Sequence, residues 1–99
     1  MHIDKIANGY RVEFMYYVDK KRFKRTTNIQ LNQRYVVVPP LYSKQLKMLD
    51  RECIIVDFLE DESGFVHKAK VRYIDNNRVG RMSFENLVSK DSLIEKTVR

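Results

Sequence analysis

The segment over residues 65–83 constrains the fold of this chain most strongly, because it combines alternating polarity with a turn signal. It predicts a strand (FVHKAKVRYI), an Asp75-Asn76-Asn77 turn and a second strand (RVGRMS). Asp caps turns locally and Asn tolerates positive φ. Successive side chains of a strand point to opposite faces, so we expect a β-hairpin whose first strand has an apolar face and a basic face. The apolar face consists of Ala69, Val71 and Tyr73, and the basic face of Lys68, Lys70 and Arg72.

An earlier segment repeats this pattern. Residues 17–27 align without gaps on residues 73–83, and the Tyr, the Asp and both Arg positions are identical. We favour convergence of two hairpins on similar turn residues; the alternative is a pair of pseudo-equivalent basic hairpins that form one surface. Both interpretations predict a hairpin around residues 19–21.

Length and composition indicate one small domain over residues 1–99, with a hydrophobic content of 43% that argues against disorder. The formal net charge of +6 favours a polyanionic partner. Cys53 is the only cysteine, so no intramolecular disulfide forms, and a cytoplasmic location is expected. Because Cys53 lies in an apolar run (CIIVDF), we expect a buried, inert thiol. The N-terminal residues carry no apolar signal segment, and no stretch approaches the length of a membrane span.

Hydrophobic periodicity and strand- or helix-breaking residues predict the remaining elements. Residues 1–9 suggest a lead-in with one helical turn that ends at Asn8-Gly9. Alternation predicts strands over residues 10–18 and 22–31, with Phe23 facing the core, and apolar runs predict strands over residues 34–38 and 52–59. Residues 42–49 suggest a short connector helix capped by Ser43. For residues 84–88 the sequence is compatible with a last strand or with the start of a helix capped by Ser83. Residues 89–99 are expected to form a helix or a frayed tail.

These elements predict a mainly β fold: a small barrel or a strongly bent antiparallel sheet, with one short connector helix and, in one alternative, a C-terminal helix. Residues 52–88, especially AKVRYID at 69–75 and FENLV at 84–88, resemble SH3-like barrels of the KOW/Tudor type. The resemblance implies that fold and a role in binding nucleic acids, proteins or modified side chains. The chain departs from the pattern, since it has no aromatic cage and carries Asn77 where a KOW-type turn has glycine.

Charge is segregated along the chain. Residues 19–47 hold eight Lys/Arg and one acid, residues 50–62 six acids and one Arg, and residues 63–81 five Lys/Arg and one acid. We therefore predict a nucleic-acid-binding module, for DNA or RNA, that acts mainly by phosphate contact through Lys20, Lys21, Arg22, Lys24, Arg25, Lys68, Lys70, Arg72, Arg78 and Arg81. Tyr17 and Phe23 are the candidates for base stacking. The alternative is a protein-interaction accessory or inhibitor subunit, of phage or mobile-element type, that docks on an acidic protein surface.

Catalysis is not expected. His2 and His67 have no triad partners, no glycine-rich phosphate loop is present, and one Cys with two scattered His does not make a zinc site. Asp57 is expected at a surface strand position. We therefore predict no enzyme activity, no metal and no small-molecule cofactor.

Overall fold

The computed structural model of the chain describes residues 2–39 and 43–89, and for residues 16–18 it describes the backbone alone. These residues form a mainly β protein, as the sequence predicts. The elements are β1 (His2–Ile6), β2 (Gly9–Val18), β3 (Lys21–Gln30), β4 (Arg34–Val37), a first 3₁₀ helix (Lys44–Met48), β5 (Glu52–Glu60), β6 (Val66–Tyr73), β7 (Val79–Ser83), a second 3₁₀ helix (Phe84–Asn86) and β8 (Leu87–Ser89).

The first three strands form an antiparallel sheet in sequence order. The helical turn predicted for the N-terminal residues is wrong: they form β1, which pairs with β2 as far as Ile6 and Gly9. Asn8 has a φ of 60° in the tight turn between these strands, and a Cβ on Gly9 would collide with the carbonyl oxygen of Ile29. The Asn8-Gly9 pair therefore belongs to a hairpin, because Asn accepts the left-handed conformation and Gly permits the close approach of β3.

The other five strands form a second antiparallel sheet in the order β7-β6-β5-β4-β8. The chain passes from β4 to β7 through neighbouring strands and then returns, so that β8 pairs with β4. Tyr35, Val36 and Val37 are buried in β4, which confirms the predicted central strand. The segment over residues 84–88 is one 3₁₀ turn followed by a strand. The predicted tail beyond Ser89 lies outside the described residues.

The connector is shorter than predicted. Only Lys44–Met48 is helical, and it is a 3₁₀ helix whose first turn is capped by the Ser43 hydroxyl, which accepts from the Gln45 N–H at 3.0 Å. None of its residues is fully buried, so little tertiary packing stabilises a longer α-helix. Tyr42, where the predicted helix begins, lies outside the described residues. None of the described helices is long and apolar enough to cross a membrane.

One hydrophobic core joins the two sheets. Val12, Phe14 and Ile29 of the first sheet pack in the same cluster as the inner residues of the second, among them Ile55, Val71, Met82, Phe84 and Leu87. The buried Tyr35 hydroxyl links the sheets, because it accepts from the Gln30 N–H at 2.9 Å and donates to the Asn28 carbonyl at 2.7 Å.

The core does not extend to the end of the β2–β3 hairpin. Thr27 and Ile29 are buried as predicted, but Phe23 is 43% exposed, so its predicted core position is wrong. Residues 21–24 are exposed on both faces of β3. The alternating pattern continues to the turn, although the packing that would bury its apolar positions does not.

Candidate functional site

The basic face predicted for β6 is present in the structure. Lys68, Lys70 and Arg72 are exposed, whereas the alternating Ala69, Val71 and Tyr73 are buried in the core. This separation follows from the two-residue period of a strand, which also places successive cations about 7 Å apart along the strand. Successive phosphates along a nucleic-acid strand are separated by a comparable distance.

Pairing with β7 adds a fourth cation. Arg81 lies directly opposite Lys70 and is exposed. Like charges at directly opposite positions destabilise a sheet. Among the described residues, no carboxylate forms an ion pair with Lys68, Lys70, Arg72 or Arg81. We call these four residues the basic ridge. On its other side, Lys70 lies directly opposite Asp57, so the like-charge pair has one acidic residue in register.

Strand β5 lies on the other side of the basic ridge. Leu59, Asp57 and Ile54 are in register with Lys68, Lys70 and Arg72, respectively. The register shifts between Ile55 and Asp57, and this bulge allows Ile55 and Phe58 both to contact the core while Asp57 faces solvent. Asp57 therefore occupies a surface position, as predicted, and its carboxylate accepts the Phe58 N–H at 2.8 Å.

A groove runs across this outer face. It consists of two open concavities of ≈ 190 and ≈ 180 Å³ that share Leu59 and Arg81. Lys70, Val79 and Gly80 complete the lining of the first; Glu60, Asp61, His67 and Lys68 complete that of the second. We call the pair the outer groove. Its apolar floor is bordered by cations at one end and by mixed charges at the other.

The acidic turn adjoins the second concavity instead of lying apart from the basic face. The Asp61 carboxylate accepts the Phe65 N–H at 3.0 Å and the Ser63 N–H at 2.8 Å, and it lies 3.4 Å from His67 Nε2. The Phe65 hydrogen bond is the largest of the effects that lower the pKa of Asp61. Negative charge at this end disfavours a polyanion, so the end of the groove at Val79 is the more favourable one.

The β6–β7 turn is held by a residue that the sequence did not single out. Arg51 donates from Nη2 and Nε to the Asp75 carboxylate at 2.8 and 3.0 Å, and its guanidinium lies 3.9 Å from the centre of the Tyr73 ring. This hydrogen bonding is the main cause of the lowered pKa of Asp75. Arg51 is the one cation in the acidic segment over residues 50–62, and that isolation is the only signal that marked it. The neighbouring Arg78 is exposed in the turn.

The β2–β3 hairpin holds the other five predicted cations. Lys20, Lys21 and Arg22 are exposed near the turn, and Lys24 is exposed 3.8 Å from Glu13. Arg25 differs from them.

Arg25 is half-buried: its Nη2 donates to the Glu85 carbonyl at 2.8 Å, and its guanidinium lies 5.2 Å from the centre of the Phe14 ring. This residue therefore anchors the hairpin to the second 3₁₀ helix. Of the two stacking candidates, Phe23 is partly exposed and the Tyr17 side chain lies outside the described residues. The structure places the two basic hairpins in different sheets, and one common binding surface stays a prediction.

Among the described residues, no group of three or more His, Cys, Asp or Glu side chains is arranged to hold a metal ion. The Cys53 thiol is fully buried, and burial raises its pKa to about 12. The thiol is therefore protonated at neutral pH, which agrees with the inert role expected from its apolar surroundings.

Comparison with known proteins adds no assignment: no protein family, curated protein or solved structure matches this chain.

Proposed function

We propose that this chain is a non-enzymatic module that binds nucleic acid in the cytoplasm through its basic ridge. The observation that carries the proposal is the pairing of Lys70 with Arg81 directly opposite. Both side chains are exposed, and neither forms an ion pair among the described residues, so both charges are available to an external anion. Lys68 and Arg72 extend the same positive face along β6, so one polyanion can contact several cations at once.

The strand order supports the resemblance to SH3-like barrels as part of this proposal. Strands β4 to β7 follow one another as neighbours, and after one 3₁₀ turn β8 returns to pair with β4. SH3-like barrels have the same succession of five strands. The strands β1–β3 would then be an addition that precedes the barrel and contributes the second basic hairpin.

Phosphate contacts account for the expected affinity. Each phosphate that a cation neutralises releases counterions, and the logarithm of the binding constant then falls by about 0.9 per contact for each logarithmic unit of salt. The four cations of the basic ridge thus predict a slope of up to about 4 for a duplex and less for a single strand. The exposed Lys20, Lys21 and Arg22 increase the slope further if their hairpin contacts the same molecule.

A protein partner with an acidic surface is the second candidate. Ile54, Leu59 and Val79 lie among the cations of the outer face and are at least partly exposed. Apolar contacts surrounded by charged ones are typical of protein interfaces. In this case the chain acts as an accessory or inhibitor subunit, and its complex tolerates moderate salt because apolar burial supplies much of the affinity.

The test is a triple substitution of the basic ridge. Lys68→Gln, Lys70→Gln and Arg72→Gln together are expected to weaken binding of a labelled polynucleotide by at least about tenfold at low salt and to lower the salt slope by about 2 to 3. The melting temperature should stay nearly unchanged, because each side chain is exposed. Fluorescence anisotropy across a salt series measures both quantities.

A matched control distinguishes the ridge from net charge. Lys5→Gln, Lys44→Gln and Lys47→Gln remove three exposed cations from other elements and lower the net charge of +6 by the same amount. This control should retain most of the affinity. Equal losses of affinity in both triple variants would mean that net charge acts without a defined site. Absence of polynucleotide binding by the wild type would favour the protein partner instead.

A further inference from the structure

The outer groove contains apolar surface that phosphate binding alone does not use. Val79 is 54% exposed, and it lines the larger concavity together with the half-buried Leu59. Lys70 and Arg81 border the same concavity. A ligand that fills it therefore presents an apolar surface and negative charge to neighbouring points of the sheet.

The size of the concavity limits the apolar part of that ligand. Its volume is ≈ 190 Å³, and a cavity of about 150 Å³ already holds a benzene ring. A planar heterocycle of pyrimidine size therefore fits in this concavity against Val79. Its attached phosphates then lie within reach of Lys70 and Arg81, which project from neighbouring strands about 5 Å apart.

A nucleic-acid duplex does not present such a surface to this face. The bases of a duplex are stacked inside the helix, and they are read only by elements that enter a groove. The outer face is formed by three neighbouring strands with short side chains between the cations, so it would meet only the sugar–phosphate backbone. An unpaired strand, in contrast, exposes base faces that pack on protein surfaces.

We propose that the concavity lined by Val79, Lys70 and Arg81 holds an unpaired base against Val79, and that the ligand of this protein is single-stranded nucleic acid. The inference rests on the proposed function, whose ligand it specifies. Phosphates on either side of the base contact the Lys70–Arg81 pair and Arg72. The carboxylates of Glu60 and Asp61 repel phosphate at the opposite end of the outer groove, so the strand lies toward Val79.

Three probes of equal length test this inference with the wild-type protein. They are an oligothymidylate of about ten nucleotides, within the range that small single-strand-binding folds occupy, an abasic strand with the same number of phosphates, and a duplex. The oligothymidylate should bind at least about tenfold more tightly than the abasic strand and than the duplex, although the duplex carries about twice the charge.

Two variants locate the base. Val79→Ser removes exposed apolar surface from the concavity, and Leu49→Ser is its control, because Leu49 is 43% exposed and lines neither concavity. Val79→Ser should reduce oligothymidylate affinity by about fivefold or more while leaving affinity for the abasic strand unchanged. Leu49→Ser should change neither.

The outcomes separate this inference from the proposed function. Equal affinity for the oligothymidylate and the abasic strand, or preference for the duplex, would overturn the single-strand inference and leave phosphate binding by the basic ridge standing. Failure of all three probes to bind at low salt would overturn the proposed function itself. Because these comparisons use the wild-type protein, they hold even if a variant fails to fold.

Discussion

The two hairpins that align in sequence have different structures. In the β2–β3 hairpin, Asp19 and Lys20 form a two-residue loop, and both have positive φ. In the β6–β7 hairpin five residues, 74–78, separate the strands, and among them only Asn77 has positive φ. The flanking Tyr–Arg pairs correspond, since Tyr17 is in register with Arg22 and the Tyr73 N–H donates to the Arg78 carbonyl. Similar residues thus specify a hairpin without specifying its loop, which agrees with convergence.

The surroundings of the two hairpins differ even more. Arg51 binds Asp75 at the base of the second loop, whereas the aligned Asp19 is exposed. The aligned arginines show the reverse: Arg25 is anchored on Glu85, and Arg81 is exposed in the basic ridge. An identical residue is therefore a structural anchor in one hairpin and an exposed cation in the other, according to what packs beside it.

The largest expected effect concerns the two arginines. Arg25→Ala removes a charged hydrogen bond to the Glu85 carbonyl and the contact with Phe14, so it should lower the free energy of unfolding by about 2 kcal/mol. Arg81→Ala should change it by less than about 0.5 kcal/mol in either direction, because the side chain is exposed. Urea denaturation measures both values. Polynucleotide affinity should show the opposite order, and equal stability losses would show that the two arginines do not differ as described.

A smaller effect is expected for the two aspartates. Asp75→Asn should lower the melting temperature, because it removes the carboxylate that Arg51 binds at 2.8 Å. Asp19→Asn should leave it nearly unchanged, because Asn tolerates positive φ and the site is exposed.

The pH dependence distinguishes an ion pair from a general effect of the substitution. The pKa of folded Asp75 lies below the ordinary value of 3.8, so the pair stabilises the protein above that value and its contribution disappears as the pH falls through the folded pKa. The difference between wild type and Asp75→Asn should therefore be present at neutral pH and vanish at strongly acidic pH. A difference that persists unchanged in acid would exclude the ion pair as its source.

The smallest effect tests the loops. Lys20 has a φ of 66°, a conformation that favours glycine, and Asp-Gly is a preferred pair for this turn. Lys20→Gly should therefore raise the free energy of unfolding by about 0.5 kcal/mol. Lys21→Gly, at the next residue and within β3, should lower it by a similar amount, since glycine weakens strands. A loss of stability at both positions, measured by thermal unfolding, would contradict the two-residue loop.

Sequence patterns that span a few residues were sufficient to predict most of the strands. Alternation placed Val12, Phe14, Val71 and Tyr73 on buried faces, and all four are buried. The same rule failed at Phe23, because periodicity describes the direction of a side chain and not whether anything covers it. It also failed at residues 2–6, where no strong pattern is present and pairing with β2 imposes the strand.

The candidate site was predictable in part. Strand periodicity alone gives the three cations of β6, since neighbouring positions must point to opposite faces. The register with β7 and β5, which sets Arg81 beside Lys70 and brings Leu59 and Val79 to one groove, depends on the loop length and on the bulge in β5. Those features arise from contacts between residues distant in the chain, and the alignment of the two hairpins did not reveal them.

The sequence by itself determined the strand-rich fold, the hairpin at Asp75 and the basic face of β6, because turn chemistry and alternation act between near neighbours. Only the tertiary structure decided which charges remain exposed. Arg25 and Arg51 are structural because Glu85 and Asp75 lie beside them, whereas Arg81 is accessible because it shares the exposed outer face of its sheet with Lys70. Such partners are supplied by packing across the fold, and no local pattern specifies them.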